Sequence, residues 1–179
     1  MTSKAHVKLV KLQLGPELFT NKKDKVEGNG NINMNIAFFL LPKQEVVWLT
    51  LDATLRQTLE KMEHHRYTAV PILDNQGGYA GTLTEGDLLW YMKNNPQVSF
   101  DQTNKVKLSD VQMRMANKAV QIDANMEDLI SLAKVQNFVP VVDDMNRFIG
   151  IVRRSDIIDY CEAIILNQNK QASKEMAAG

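Results

Sequence analysis

Residues 67–91, "YTAVPILDNQGGYAGTLTEGDLLWY", and residues 136–160, "QNFVPVVDDMNRFIGIVRRSDIIDY", are two versions of one pattern. Each position in the second lies 69 residues beyond its counterpart, with no gap. Val70, Pro71, Asp74, Gly81, Asp87 and Tyr91 meet Val139, Pro140, Asp143, Gly150, Asp156 and Tyr160. Apolar positions answer apolar positions: Ile72 with Val141, Leu73 with Val142, Tyr79 with Phe148, Leu83 with Val152 and Leu88 with Ile157. Internal repetition constrains the architecture more tightly than any single element does.

Upstream the match continues with a two-residue slip, "LDATL" (51–55) answering "IDANM" (122–126). Each opens a helix. Thr54 with Gln57 makes a capping-box pair, and Asn125 with Asp128 a looser one. Leu55, Leu59 and Met62 follow at helical spacing, as do Met126, Leu129, Ile130 and Ala133. The proline in each following β-rich run predicts a strand start or edge, where a missing N–H is tolerated. The first copy thus reads strand 46–51, helix 54–65, strand 69–73, strand 79–83, helix 85–93. The second reads strand 118–122, helix 125–136, strand 138–142, strand 147–152, helix 154–166. In the connection, "KLSDV" predicts a further helix capped by Ser109. A unit of about 60 residues is marginal alone, so the two copies are expected to pack on each other.

The chain has 179 residues and zero formal net charge, 44% of it hydrophobic. That speaks against an electrostatic nucleic-acid binder. One cysteine, Cys161, cannot form an internal disulfide. With no apolar run long enough for a membrane span and no signal-peptide core, a cytoplasmic protein is expected. Cys161 lies on an apolar helix, where a buried, inert thiol is the default. Residues 1–33 hold six lysines against three acids and end in "EGNGNIN". Three readings fit: a flexible basic extension, a basic arm for anionic partners, or sequence upstream of a natural start at Met34. The division expected is 1–33 extension, 34–97 first repeat, 98–166 second repeat and 167–179 flexible tail.

Thr84 and Asp87 pose the chemical question. A hydroxyl followed three residues later by an acid fits a helix N-terminus. In the second copy Arg153 stands in place of the threonine and cannot accept the N–H bonds a cap accepts. Asp156 is nonetheless still aspartate, which favours a second task for the carboxylate, although acids suit any helix N-terminus. A helix N-terminus suits phosphate, a carboxylate can bind a ribose diol, and Gly86 permits close approach. Arg153 and Arg154 offer donor forks for phosphate or are solvated surface groups. The two copies are therefore expected to differ at this position.

The doubled β-α-β-β-α order, with "VPIxD…G…TxxD" near the end of each copy, resembles the tandem CBS-domain pair, or Bateman module, of small stand-alone bacterial proteins. The likeness covers residues 35–166. It implies an α/β (α+β) fold of two CBS repeats packed as a pseudo-two-fold pair with two clefts. It implies a regulatory, non-catalytic module that binds an adenosine-containing ligand such as AMP, ADP, ATP, S-adenosylmethionine or cyclic di-AMP. Ribose contacts then fall to Asp87 with Thr84 and Gly86 beside it, and adenine contacts to the Ala69, Val70, Pro71 strand. In the second copy the corresponding groups are Asp156, Arg153 and Arg154, and the Phe138, Val139, Pro140 strand. Homodimers through the helices 85–93 and 154–166 and an unidentified protein partner are further implications.

Other side chains are weaker candidates. His64 and His65 are adjacent on a helix and diverge, so with only His6 besides they do not make a zinc site. They suit a solvated helix C-terminus or a contact to ligand phosphate. Trp90 and Tyr91 suit packing or dimer contacts, and Phe38, Phe39, Leu40 and Leu41 suit the core. Trp48 suits the core or an adenine pocket. No nucleophile–base pair, glycine-rich phosphate loop or metal set is present, and nothing reads as a DNA-recognition helix. The competing function is a dimerisation and protein-interaction scaffold that takes no small molecule.

Overall fold

The computed structural model describes residues 35–115 and 117–178, so the extension 1–33, His6 and Met34 lie outside the described residues. Contacts divide the chain into Asn33–Ile158 and a second unit that includes Asp159–Gly179. The larger unit carries β1 (Leu41–Pro42), β2 (Leu49–Thr50), α1 (Leu55–His65), β3 (Ala69–Leu73), β4 (Tyr79–Thr84) and α2 (Glu85–Asn94). It continues with β5 (Val120–Gln121), α3 (Met126–Ala133), β6 (Phe138–Val142), β7 (Phe148–Arg153) and the first residues of α4 (Arg154–Ala178). From Asp159 onward the second unit is the rest of that helix, past the boundary at 166 where a frayed tail was expected. Cys161 is half-buried there rather than buried. No helix among the described residues is long and apolar enough to cross a membrane.

The β-α-β-β-α order appears twice, as the repeat predicts. One sheet runs β2-β3-β4 and the other β1-β7-β6-β5. Pro71 lies third in β3, not at its start. The short parallel neighbour β2 pairs only with Ile72 and Leu73, so the residue without an N–H sits beyond the ladder. Pro140 is placed identically, since β5 pairs only with Val141 and Val142. Both hairpins carry a register shift at the same place, Ile72/Leu73 and Val141/Val142.

The hairpin turns explain the shared aspartates. Asp74 Oδ1 accepts from the N–H groups of Gln76 and Gly78, each at 2.8 Å. Asp143 Oδ1 accepts from Met145 at 3.0 Å and Arg147 at 2.8 Å. The left-handed position is Gly77 in one turn (φ 83°) and Asn146 in the other (φ 60°), the two residue types that tolerate it best. Hydrogen bonding from the Arg147 backbone, with its guanidinium beside it, holds the Asp143 carboxyl below its ordinary value.

The chain leading into each repeat docks on the other one. Ile36, fully buried, and Phe39 lie in a 3-10 turn packed against β7, and β1 then pairs antiparallel with β7. Leu108 and Val111 of the connection join the first repeat's core with Leu49, Leu55, Ile72 and Leu83. The expected helix at "KLSDV" is instead a 3-10 turn, Leu108–Asp110, and Ser109 lies inside it rather than capping it. The Leu108 and Ser109 N–H groups donate to the carbonyls of Ala53 (2.9 Å) and Leu51 (3.0 Å), which commits this backbone to tertiary pairing. Phe38 departs from its expected core position and is 58% exposed, because the tight turn buries only every third residue. α3 stops three residues short of the expected end because Gln136 turns inward. Its buried side chain accepts from Lys118 N–H at 2.8 Å and donates to the Lys118 carbonyl at 3.1 Å.

Gly150 sits where β1 crosses β7, and a Cβ there would meet the Leu41 carbonyl oxygen. That atom belongs to the backbone and cannot rotate away. Gly150→Ala is expected to destabilise the protein by about 1–3 kcal/mol, the usual range for overpacking, read as a lower midpoint in urea unfolding.

Candidate functional site

Two corners, one per repeat, gather most of the residues that sequence selects. In β3·β4 pairing Ala69 lies opposite Thr84, Val70 opposite Leu83 and Pro71 opposite Thr82. In β6·β7 pairing Phe138 lies opposite Arg153, Val139 opposite Val152 and Pro140 opposite Ile151. Each second strand passes directly into a helix whose first N–H reaches back across the hairpin. Glu85 donates to the Thr68 carbonyl at 3.1 Å, and Arg154 to the Asn137 carbonyl at 3.0 Å. Gly86 lies beside the first corner, 3.6 Å from Thr84 Oγ1 measured from where a Cβ would stand.

The first corner is a complete capping box. Thr84 Oγ1 accepts from Asp87 N–H at 3.2 Å, and Asp87 Oδ2 accepts from Thr84 N–H at 2.9 Å and its hydroxyl at 2.7 Å. Asp87 is only 3% exposed, unusual for a carboxylate. Its other oxygen accepts from the Arg114 backbone N–H at 3.0 Å. Three donors thus compensate a burial that would otherwise be costly. The cap is real, and the carboxylate has a further contact that capping does not require.

The second corner is built differently. Arg153 Nε and Nη2 grip Asp156 at 2.9 and 2.8 Å, a bidentate pair with the carboxylate side chain 13% and the guanidinium side chain 50% exposed. The expectation of two fixed positive charges for phosphate is therefore corrected for Arg153, whose charge Asp156 offsets. Arg154 has no ion-pair partner among the described residues.

Sequence reading passed over Thr82, Asn117 and Arg114 and read Tyr79 only as the apolar counterpart of Phe148. Thr82 shares the Thr84 face of β4 and is fully buried. Its hydroxyl lies 2.6 Å from Tyr79 Oη and accepts from Asn117 Nδ2 at 3.2 Å. The i, i+2 spacing of Thr82 and Thr84 carried a signal. Arg114 carried none, because it acts through its backbone. Trp48 packs in the core shared with Phe138 and Phe148. Tyr91 packs on the first core, whereas Trp90 is 41% exposed, with Lys93 Nζ 5.0 Å from its ring centre. His64 and His65 meet edge to face at 4.8 Å at the end of α1. Among the described residues no three His, Cys, Asp or Glu side chains could hold a metal.

Two concavities lie elsewhere. An open cleft of about 680 Å³ is lined by Trp48, Thr50, Gln57, Glu60, Lys61 and His64. A smaller one of about 270 Å³ lies between the hairpin turns, lined by Asp74, Gln76, Gly78, Met145, Asn146 and Arg147. Thr84, Asp87, Arg153 and Asp156 line neither.

Fold and corners define a tandem α/β repeat module in which each unit ends in a hairpin, a helix and a first-turn aspartate. The CBS domain model matches residues 40–94 and 108–163, and the chain belongs to the CBS-domain family, with two copies in tandem. A CBS domain-containing protein of Dictyostelium discoideum is 28% identical over 132 residues, covering 70% of this chain and 91% of that protein. The crystal structure of CbpB in complex with c-di-AMP aligns with a TM-score of 0.68 at 16% identity, covering 78% of this chain and 91% of that one. CBSX2 in complex with AMP aligns with a TM-score of 0.58 at 23% identity, covering 73% and 97%.

Burial pushes the Tyr79 phenol up from 10.0 to about 12, against a smaller lowering by Thr82. The folded state thus favours the neutral phenol. Its contribution to stability is full below pH 10 and is lost as pH rises from 10 toward 12. Tyr79→Phe is expected to be less stable at pH 8 and to lose less of its remaining stability between pH 10 and 12 than wild type, measured by urea unfolding across that range.

Proposed function

We propose that this protein is a cytoplasmic regulatory module that binds an adenosine-containing nucleotide between its CBS repeats and passes occupancy to a partner protein. The observation that carries this reading is the pair of matched corners. In each, a buried or half-buried aspartate stands in the first turn of a helix, one strand-width from the "VP" strand. That arrangement offers a carboxylate to a ribose diol, helix N–H groups and Arg154 to phosphate, and strand backbone to an adenine edge. Support comes from structural neighbours with the same fold, CbpB with c-di-AMP and CBSX2 with AMP. Thr84, Gly86, Asp87 and Ala69–Pro71 form the first proposed site. Arg153, Arg154, Asp156 and Phe138–Pro140 form the second. A ligand regulates only by binding one conformation more tightly than another.

Titration calorimetry of the full chain with AMP, ADP, ATP, cyclic di-AMP and S-adenosylmethionine tests the reading. One of these should bind saturably and, at 100 times its dissociation constant, add about 2.7 kcal/mol of stability. Asp87→Asn or Asp156→Asn should weaken that binding at least tenfold. Absence of heat and of any melting shift with all five ligands would overturn the proposal.

A scaffold without a small molecule is favoured by one observation. Leu89 and Ile158, equivalent positions of α2 and α4, are 62% and 56% exposed. Paired apolar residues at matching places suit a helix-mediated homodimer. Leu89→Lys with Ile158→Lys should then give a monomer in sedimentation, with its melting cooperativity retained. An unchanged mass would remove that support.

A further inference from the structure

We propose that Asp87 and Thr82 form a latch that holds the connection at Arg114 and Asn117 closed against the first corner, and that a ligand taking the Asp87 carboxylate opens it. This rests on the nucleotide reading for its ligand, but the latch itself is a property of the chain. A carboxylate offers about four lone-pair positions. Thr84 N–H and hydroxyl use those of Oδ2, and Arg114 N–H uses one of Oδ1. A ribose diol needs two acceptor positions, and one remains on a group only 3% exposed. Something must leave. Releasing Thr84 would break the reciprocal half of the α2 capping box and strand the Thr84 N–H, although the Thr84 hydroxyl could still accept from Asp87 N–H. Releasing Arg114 frees one N–H in a stretch outside any strand or helix.

The second half of the latch is Thr82. Its fully buried hydroxyl takes Asn117 Nδ2 at 3.2 Å, and Tyr79 Oη also reaches the Asn117 carbonyl, at 3.4 Å. Beside it the Met113 thioether lies 3.1 Å from where a Cβ of Gly81 would stand, so Met113 packs onto bare β4 backbone. All three holds act on residues that lead into β5 and the second repeat. The second repeat shares the packing, since Leu40 and Leu41 lie on Gly150 as Met113 lies on Gly81, but among the described residues it lacks the two side-chain hydrogen bonds. Ile151 replaces Thr82, Arg153 replaces Thr84, and the incoming chain is fixed by the β1·β7 ladder instead. Among the described residues, the first corner is thus the one that couples a removable side-chain hydrogen bond to the chain entering the other repeat.

Hydrogen exchange of the full chain, followed by mass spectrometry of peptides spanning 112–120, tests this. Thr82→Val keeps the volume and removes the hydroxyl. Asn117→Ala breaks the same contact from the outside, should Thr82→Val fold poorly. Either should speed exchange of 112–120 roughly five- to tenfold, the effect of one lost hydrogen bond, while α1 peptides stay unchanged. Binding of AMP or cyclic di-AMP to wild type should likewise deprotect 112–120. Affinity should rise in Thr82→Val, because the closed state no longer competes. Unchanged exchange in both variants would overturn the latch, as would greater protection of 112–120 on nucleotide binding. If neither nucleotide binds wild type or variant, opening by ligand falls with the nucleotide reading, and the exchange of the variants still decides whether the latch exists.

Discussion

Everything in the larger unit is arranged around the contact where the two repeats meet at equivalent positions. Gly78 bridges to Arg147, and Tyr79 stacks on Phe148 with ring centres 6.4 Å apart. Each pair is separated by the repeat length, so a local two-fold runs between the hairpins and the interface is self-complementary. The equivalence is not complete at the axis. A Cβ at Gly78 would stand 2.7 Å from Asp74 Oδ2, inside the turn that carboxylate organises. Arg147 occupies the same place in the other turn and sends its guanidinium back to Asp143 at 2.8 Å. One side of the axis is therefore bare and the other charged. Phe148, 2% exposed, passes its N–H to the Gly77 carbonyl at 2.9 Å to close the joint.

That joint alone would leave two small sheets with little core. The exchange of lead-in segments supplies the rest. Ile36 and Phe39 belong by sequence to the first repeat yet cover the second repeat's β7. Leu108 and Val111 lead into the second yet complete the core of the first. Each repeat is thus finished by chain that must also begin the other, and neither half can be cut out without uncovering its partner. Repeats near 60 residues gain from this because neither buries enough surface alone.

The repeat and the element order were legible because each is written in local chemistry: an ungapped match of paired residues, apolar spacing at helical period and a Thr-x-x-Gln cap. The exchange of segments was not, since the apolar spacing of Ile36 with Phe39 and of Leu108 with Val111 says that they are buried and not against what. Ser109 misled for a related reason. A serine before an acid suits a cap, but the carbonyls of Ala53 and Leu51 claim the backbone first. In the candidate corners Thr84 and Asp87 stood out by their spacing and by the repeat, whereas the strand residues came from the family resemblance. The contact to Arg114 was not legible, because a backbone N–H carries no signature of its residue type.

The two aspartates show why shared identity does not establish a shared role. Asp87 accepts a hydroxyl and two backbone N–H groups, which any short acceptor at the third helical position could do in part. Asp156 instead balances the charge of Arg153, which a short polar neutral residue would not do. Each carboxylate therefore has a structural partner within its own corner, so the ligand reading rests on the whole corner of strand, helix N-terminus and carboxylate, not on the shared aspartate alone. The case for a ligand must come from what a cap and an ion pair leave over. In the second corner that surplus is Arg154. In the first it is the bond to Arg114, a contact that does nothing for the helix and ties the carboxylate to the other repeat. A carboxylate that served the cap alone could sit exposed at the helix end. Burying it under the connection carries a desolvation cost that makes sense where the connection's position is what the carboxylate controls.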